Sequence, residues 1–463
     1  MTNSTRRTFL TASAAAAVPF FIKADDKSGT KLPILGEGEH KYECIHDWGE
    51  LPSNIKYGNT HSISEDAQGH IYVHHTVYED SPSPDSVVVF DEKGKFVRSF
   101  GPMFRGGAHG MHLRKEGNTE YLYFCDDKHG VITKRTLKGE EVWTIGYPQQ
   151  SATYQKGPGS MGPGGANGLN YRPTNIAIAP NGDFWVGDGY GSYYMFHYTV
   201  ASATAYPVLK NTFGGPPAPA PGAAPAGRGG GAAGGGAAAG GGAAGGGGGR
   251  GGGGGRAGGG APGGAAAAGG GAPGGAAPGA QAAAGAPGGG APGGGGARGG
   301  AGGGRAAAVR PLNTVGVPAD RPIESMNNPH GNWIDLRDPS KPLLLVADRG
   351  NRRIVRYTLD DKPIDVVAGT LQPCHFYPHP KTAEIVVPDL SSRVSILDKD
   401  NKIIINLGEP TKPNPQRTTT DRSSFVPGQF VAPHSAIFDH YGNLFVGEWV
   451  EIGRVTKLRK VSA

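Results

Sequence analysis

The sequence predicts an all-β, six-bladed β-propeller. Three observations carry that prediction: repeating units that each end in an apolar residue followed by glycine, a fixed order of strand signals within each unit, and an orphan strand ahead of the first unit. The endings are Trp48-Gly49, Phe100-Gly101, Ile145-Gly146, Phe213-Gly214, Ala368-Gly369 and Leu407-Gly408. The units between them start near Thr60, His109, Pro173, Pro329, Pro373 and Pro433.

Within a unit an alternating run comes first, then a turn rich in Gly or Asn, a second apolar run and a more polar strand. Ala177 to Asp188 shows the pattern, and Ile437 to Glu448 repeats it. Four short strands in roughly forty residues make a propeller blade. The last unit stops without an outer strand of its own, whereas Tyr42 to Gly49 is a strand without a unit. The N-terminal strand is therefore expected to complete the sixth blade near Val455 to Val461, which removes two exposed sheet edges.

Two stretches stand outside this pattern. Ser4-Thr5-Arg6-Arg7-Thr8-Phe9-Leu10 precedes an Ala-rich, modestly apolar run to Ile22, too short to span a bilayer. Residues 1–24 are read as a twin-arginine export signal, which predicts a periplasmic or secreted protein without a transmembrane anchor. Residues 215–309 are almost wholly Gly, Ala and Pro, with no aromatic residue and no three-residue glycine period. Such a segment cannot bury enough apolar surface to offset its chain entropy, so it is expected to be a disordered insert between blades 1–3 (40–214) and blades 4–6 (310–463).

Charge narrows the function. The formal +6 is exceeded by eight basic residues in the leader and insert, Arg6, Arg7, Lys23, Arg228, Arg250, Arg256, Arg298 and Arg305, where no acid occurs. The propeller itself is thus slightly acidic, and nucleic acid is not an expected partner. Cys44, Cys125 and Cys374 do not form a dense disulfide framework; one bridge or three buried thiols remain open.

The candidate chemistry lies at the strand starts, because the first strand of each blade lines the central channel. The six units present His61, His109, Asn175, His330, His375 and His434 there. Every second blade of a six-fold ring selects His109, His330 and His434, and three converging imidazoles make a zinc shell with a fourth position open. His61 and His375, on intervening blades, are expected to be structural.

Leu345 to Tyr357, with Ala347-Asp348-Arg349-Gly350-Asn351-Arg352, resembles the NHL repeat. A wider set of motifs, Ala108-His109-Gly110-Met111, Arg172-Pro173-Thr174-Asn175, Gly187-Asp188-Gly189-Tyr190, Pro329-His330, Asp348-Arg349 and Pro433-His434, resembles the peptidyl-α-hydroxyglycine α-amidating lyase. That resemblance implies a six-bladed propeller with zinc on His109, His330 and His434, Tyr190 as catalytic tyrosine and Arg349 as active-site arginine. It implies a peptide-like carbinolamide substrate cleaved to an amide and glyoxylate. Three positions depart from the family. Ser435 stands where an acid follows the last zinc histidine, which bears on an associated calcium site; Val73-His74-His75-Thr76 offers no first-blade arginine; and Arg172 and Gly191 stand near the places of two cysteines. Two other readings stay open: a non-catalytic propeller that binds a protein or glycan, and a calcium-dependent lactonase-like propeller.

Overall fold

The computed structural model describes residues 31–155, 171–217 and 321–461. The expected leader, and the expected insert beyond residue 217, lie outside the described residues. Within them the chain is an all-β, six-bladed propeller with only four short 3-10 turns. No helix there is long and apolar enough to cross a membrane.

Blade 1 comprises Thr60–Glu65, Ile71–His75, Val87–Phe90 and Phe96–Phe100, paired antiparallel in sequence order. Blades 2 to 5 repeat this order, with first strands at Ala108–Glu116, Asn175–Ile178, Pro329–Asp335 and Tyr377–Pro378. In blade 6, Pro433–Phe438, Leu444–Glu448 and Arg454–Lys460 are joined by Tyr42–Ile45, with Tyr42 opposite Lys460 and Cys44 opposite Leu458. Ile34–Leu35 adds a fifth strand outside it. The Thr60 hydroxyl links blade 1 to blade 6, donating to the Glu448 carbonyl at 2.7 Å and accepting from the Glu448 N–H at 2.9 Å.

Middle strands are buried on both faces because each sheet packs between two others, so Val87–Phe90 and Ile385–Asp389 read as continuous apolar runs. Outer strands such as Phe96–Phe100 and Pro363–Val367 are half-exposed, which accounts for their mixed composition. The core is accordingly six separate layers between adjacent blades. One joins Tyr72, Val87 and Val89 to Met111, Leu122 and Phe124; another joins Tyr42, Leu444 and Leu458 to Val386 and Ile396. The recurrent glycine after an apolar residue has a backbone cause: Gly49, Gly101, Gly214, Gly369 and Gly408 all take positive φ, between +72° and +101°. All three cysteines are buried free thiols.

A buried carboxylate stands at the end of the second strand in blades 2 to 6: Asp126, Asp188, Asp348, Asp389 and Glu448. In blades 3 to 6 it accepts a backbone N–H from the segment leading into its own first strand, from Arg172, Asn327, Gln372 and Val431 respectively. The carboxylate therefore fixes where each channel strand begins. In blade 6 Glu448 is also paired with Arg454, and both side chains are almost wholly buried. Arg454→Met should cost about 3–5 kcal/mol, because it leaves a buried carboxylate without its counter-charge. Urea denaturation checks this; a loss below about 1 kcal/mol would show that the pair does not brace the blade.

Candidate metal and catalytic site

Strand register identifies the true rim positions. Thr60 pairs with His75, Ala108 with Asp126, Pro329 with Asp348, Pro373 with Asp389 and Pro433 with Glu448. The residues that follow, His61, His109, His330, Cys374 and His434, are equivalent. In blade 3 the Thr174 N–H donates to the Gly187 carbonyl as the Cys374 N–H does to the Pro388 carbonyl, which makes Thr174 the sixth.

This corrects two of the positions expected from sequence. Asn175 and His375 each lie one residue beyond the rim. The Asn175 carboxamide oxygen accepts its neighbour's backbone N–H, from Ile176, at 2.8 Å. His375 lines a separate small cavity with His112, Trp333 and Tyr377. Cys374 and Thr174 had been missed, although Pro373-Cys374 and Pro173-Thr174 parallel Pro329-His330 and Pro433-His434.

The six positions alternate in role. His109 Nδ1 donates to the Thr174 carbonyl at 2.5 Å, His330 Nδ1 to the Cys374 carbonyl at 2.9 Å, and His434 Nδ1 to the His61 carbonyl at 2.8 Å. Each imidazole of blades 2, 4 and 6 is thus held by the rim carbonyl of the next blade. A carbonyl only accepts, so the proton sits on Nδ1 and Nε2 presents its lone pair. The residue after each histidine is small because the neighbouring strand comes so close. A Cβ on Gly110 would crowd the Thr174 carbonyl, and one on Gly331 would collide with that of Cys374. Ser435 accepts the Ile63 N–H through its hydroxyl at 3.1 Å, so the position where the resemblance expects an acid fastens blade 6 to blade 1.

His109, His330 and His434 are brought together, with ring centroids 4.7–4.9 Å apart. His61, expected to be structural, lies beside them, 4.7 Å from His109 and 4.6 Å from His434. The tightest donor groups are two overlapping sets, His61–His109–His434 and His330–Cys374–His434, each with donor atoms within 4.8 Å of one another. The trio selected from sequence is not itself such a set. The Tyr190 hydroxyl bridges two of its members, 3.3 Å from His109 Nε2 and 3.1 Å from His330 Nε2.

Tyr190 extends from the turn after the second strand of blade 3. Gly191 beside it has no room for a side chain, since a Cβ would strike the Asp188 carboxylate. Arg349 donates through Nη2 to the Tyr190 hydroxyl at 3.2 Å and through Nη1 to Cys374 Sγ at 3.7 Å. A second guanidinium, Arg172, lies 5.2 Å from the Tyr190 ring centroid and is paired with Asp127. Arg172 thus supplies a second arginine from blade 3, while the first-blade segment carries His74, packed against Phe104 and Phe124.

Burial, with the neighbouring charges and imidazoles adding to it, holds His61, His109 and His330 well below the ordinary histidine range and His434 at about 3. All four are neutral imidazoles at pH 7, the form that binds a metal. Burial pushes the Tyr190 phenol up, and Arg349 draws it partly back. It pushes the Cys374 thiol up to about 11, again against the pull of Arg349. The His434 Nε2 is buried without a hydrogen-bond partner. A buried lone pair of this kind, beside other nitrogen donors and a sulfur, fits a metal ion.

No family model matches the chain, and no curated protein matches it. Among solved structures the chain is similar to a protein provisionally assigned as a gluconolactonase, at 11% identity and TM-score 0.41, over 91% of this chain and 100% of that one. It is similar to a gluconolactonase from Xanthomonas campestris at 9% identity and TM-score 0.44, over 93% and 95%. It is also similar to the Dos1 propeller at 8% identity and TM-score 0.34, over 87% and 69%. None of these three is an amidating lyase.

Proposed function

We propose that this propeller is a metal-dependent lyase that cleaves a carbinolamide of the N-acyl-α-hydroxyglycine type to a primary amide and glyoxylate. The observation that carries this reading is the position of the Tyr190 hydroxyl, within hydrogen-bond reach of His109, His330 and Arg349 at the heart of a buried imidazole cluster.

The donor set supports zinc. Imidazole and thiol suit a borderline-soft ion, whereas calcium takes oxygen ligands. The buried carboxylates at the strand ends are engaged by backbone N–H groups and by arginines such as Arg353 and Arg454. His434, with His61 and His109 on one side or His330 and Cys374 on the other, would hold the ion, which when bound supplies Lewis acidity toward the substrate hydroxyl. The carbonyl anchors keep the rings of His109, His330 and His434 oriented without cost at the moment of reaction. Tyr190 would act as base only where a bound ion and Arg349 together offset the burial that raises its phenol and stabilise negative charge on its oxygen. As the substrate hydroxyl proton passes to Tyr190, the carbon–oxygen bond becomes a carbonyl and the C–N bond breaks, and the departing amide nitrogen takes the proton back from Tyr190.

The test is glyoxylate release from N-benzoyl-α-hydroxyglycine by zinc-loaded protein. Tyr190→Phe should keep the metal and lose activity by about 10²–10⁴-fold, the usual worth of a general base. Zinc bound with no glyoxylate formed would end the lyase reading and leave a non-catalytic binding propeller.

A further inference from the structure

The ring equivalence places one sulfur among the imidazoles. Cys374 occupies the rim of blade 5, wholly buried, and its Sγ forms a compact donor set with His330 and His434. Little else holds that sulfur. Its polar neighbours are the Gln372 carbonyl at 3.6 Å and Arg349 Nη1 at 3.7 Å, both weak contacts. Across the set, the buried His434 Nε2 has no partner. His330 is oriented by the carbonyl of Cys374 itself, so one residue positions an imidazole through its backbone and offers its own donor through its side chain.

We propose that Cys374 is a metal ligand, forming with His330 and His434 a mixed nitrogen–sulfur seat beside the all-nitrogen seat of His61, His109 and His434. The inference rests on the reading of the cluster as a metal site and is independent of the lyase chemistry. Both seats need the single free nitrogen of His434, so they are mutually exclusive, and the ion's own preference selects between them. Soft and borderline ions favour the thiolate. Binding there exchanges the S–H bond for an S–metal bond and releases one proton to solvent, whereas the neutral imidazoles release none. Arg349, already in contact with the sulfur, balances the thiolate charge.

Cobalt(II) alone reports the ligand set. The probe is the full chain carrying Cys44→Ser and Cys125→Ser, so that Cys374 is the sole thiol; should that background fail to fold, wild type against single Cys374→Ser serves. Visible ligand-field bands are expected together with an intense near-ultraviolet thiolate-to-cobalt band and about one proton released per ion. Cys374→Ser should lose the near-ultraviolet band and the proton release. Ligand-field bands without a charge-transfer band overturn the thiolate ligand and leave the metal site standing. A charge-transfer band that survives Cys374→Ser also overturns it, because another group then supplies it. Folded protein showing neither band overturns both readings.

Discussion

Metal-free protein is expected to unfold cooperatively on mild acidification, with a midpoint near pH 5. Eight of the buried histidines have strongly depressed pKa values: His61, His109 and His330 well below 6.5, His74, His75, His112 and His434 at about 3, and His375 at about 4. Each is neutral in the fold and becomes protonated in the unfolded chain near its ordinary value of 6.5. Below that pH the unfolded state binds more protons, so stability present above 6.5 is lost as pH falls toward the folded-state values. Each unmatched proton costs about 1.4 kcal/mol per pH unit. Eight together approach about 11 kcal/mol per unit, comparable to the whole stability of a typical domain, which is about 5–15 kcal/mol. Tryptophan fluorescence followed against pH checks this, and a fold that persists to pH 3.5 would show that these imidazoles are hydrated or already charged.

Replacing His434 by alanine should weaken zinc binding more than any other single change at the rim. His434 belongs to both compact donor sets, whereas His61, His109, His330 and Cys374 each belong to one. Four-ligand zinc sites bind with about 10–16 kcal/mol, so one ligand is worth roughly 3–4 kcal/mol, or on the order of 10²–10³ in affinity. His434→Ala should show that loss in a competition titration with a chelator. His61→Ala or His330→Ala should lose less, because an ion can still use the other set. His375→Ala should lose nothing, since that ring lines a different cavity. Equal losses at His375 and His434 would mean that the effect is one of folding.

Blade number and order are legible in the sequence because local chemistry writes them. Left-handed glycines close five of the six units, doubly buried strands read as apolar runs, and half-exposed outer strands are mixed. The convergence of His109, His330 and His434 followed from counting blades, and Tyr190 and Arg349 lie against them. What stayed hidden was register. In blades 1, 2, 4 and 6 the first strand shifts register at the rim residue itself, between Thr60 and Ser62, Ala108 and Met111, Pro329 and Asn332, and Pro433 and Ser435. Such irregularities leave no mark in a hydrophobic pattern. In blade 5 Pro373 makes an isolated bridge and the strand resumes only at Tyr377, so His375 looked like the rim residue when Cys374 was. Angular spacing on the ring singles out His109, His330 and His434 and takes no account of side-chain reach, so the nearness of His61 to His109 and His434 is not legible from it.

The alternation of imidazole and carbonyl around the rim gives the ring a pseudo-threefold character that its six similar sheets conceal. With respect to the channel the repeating element is a pair of blades, one giving an imidazole and the next the carbonyl that anchors it. Gaining or losing a single blade would break this phase, leaving one ring without its anchoring carbonyl or one carbonyl without its ring. Gaining or losing a pair would preserve the pattern and change only the number of rings that converge. Variation in blade count along this lineage should therefore go in steps of two wherever the rim histidines persist.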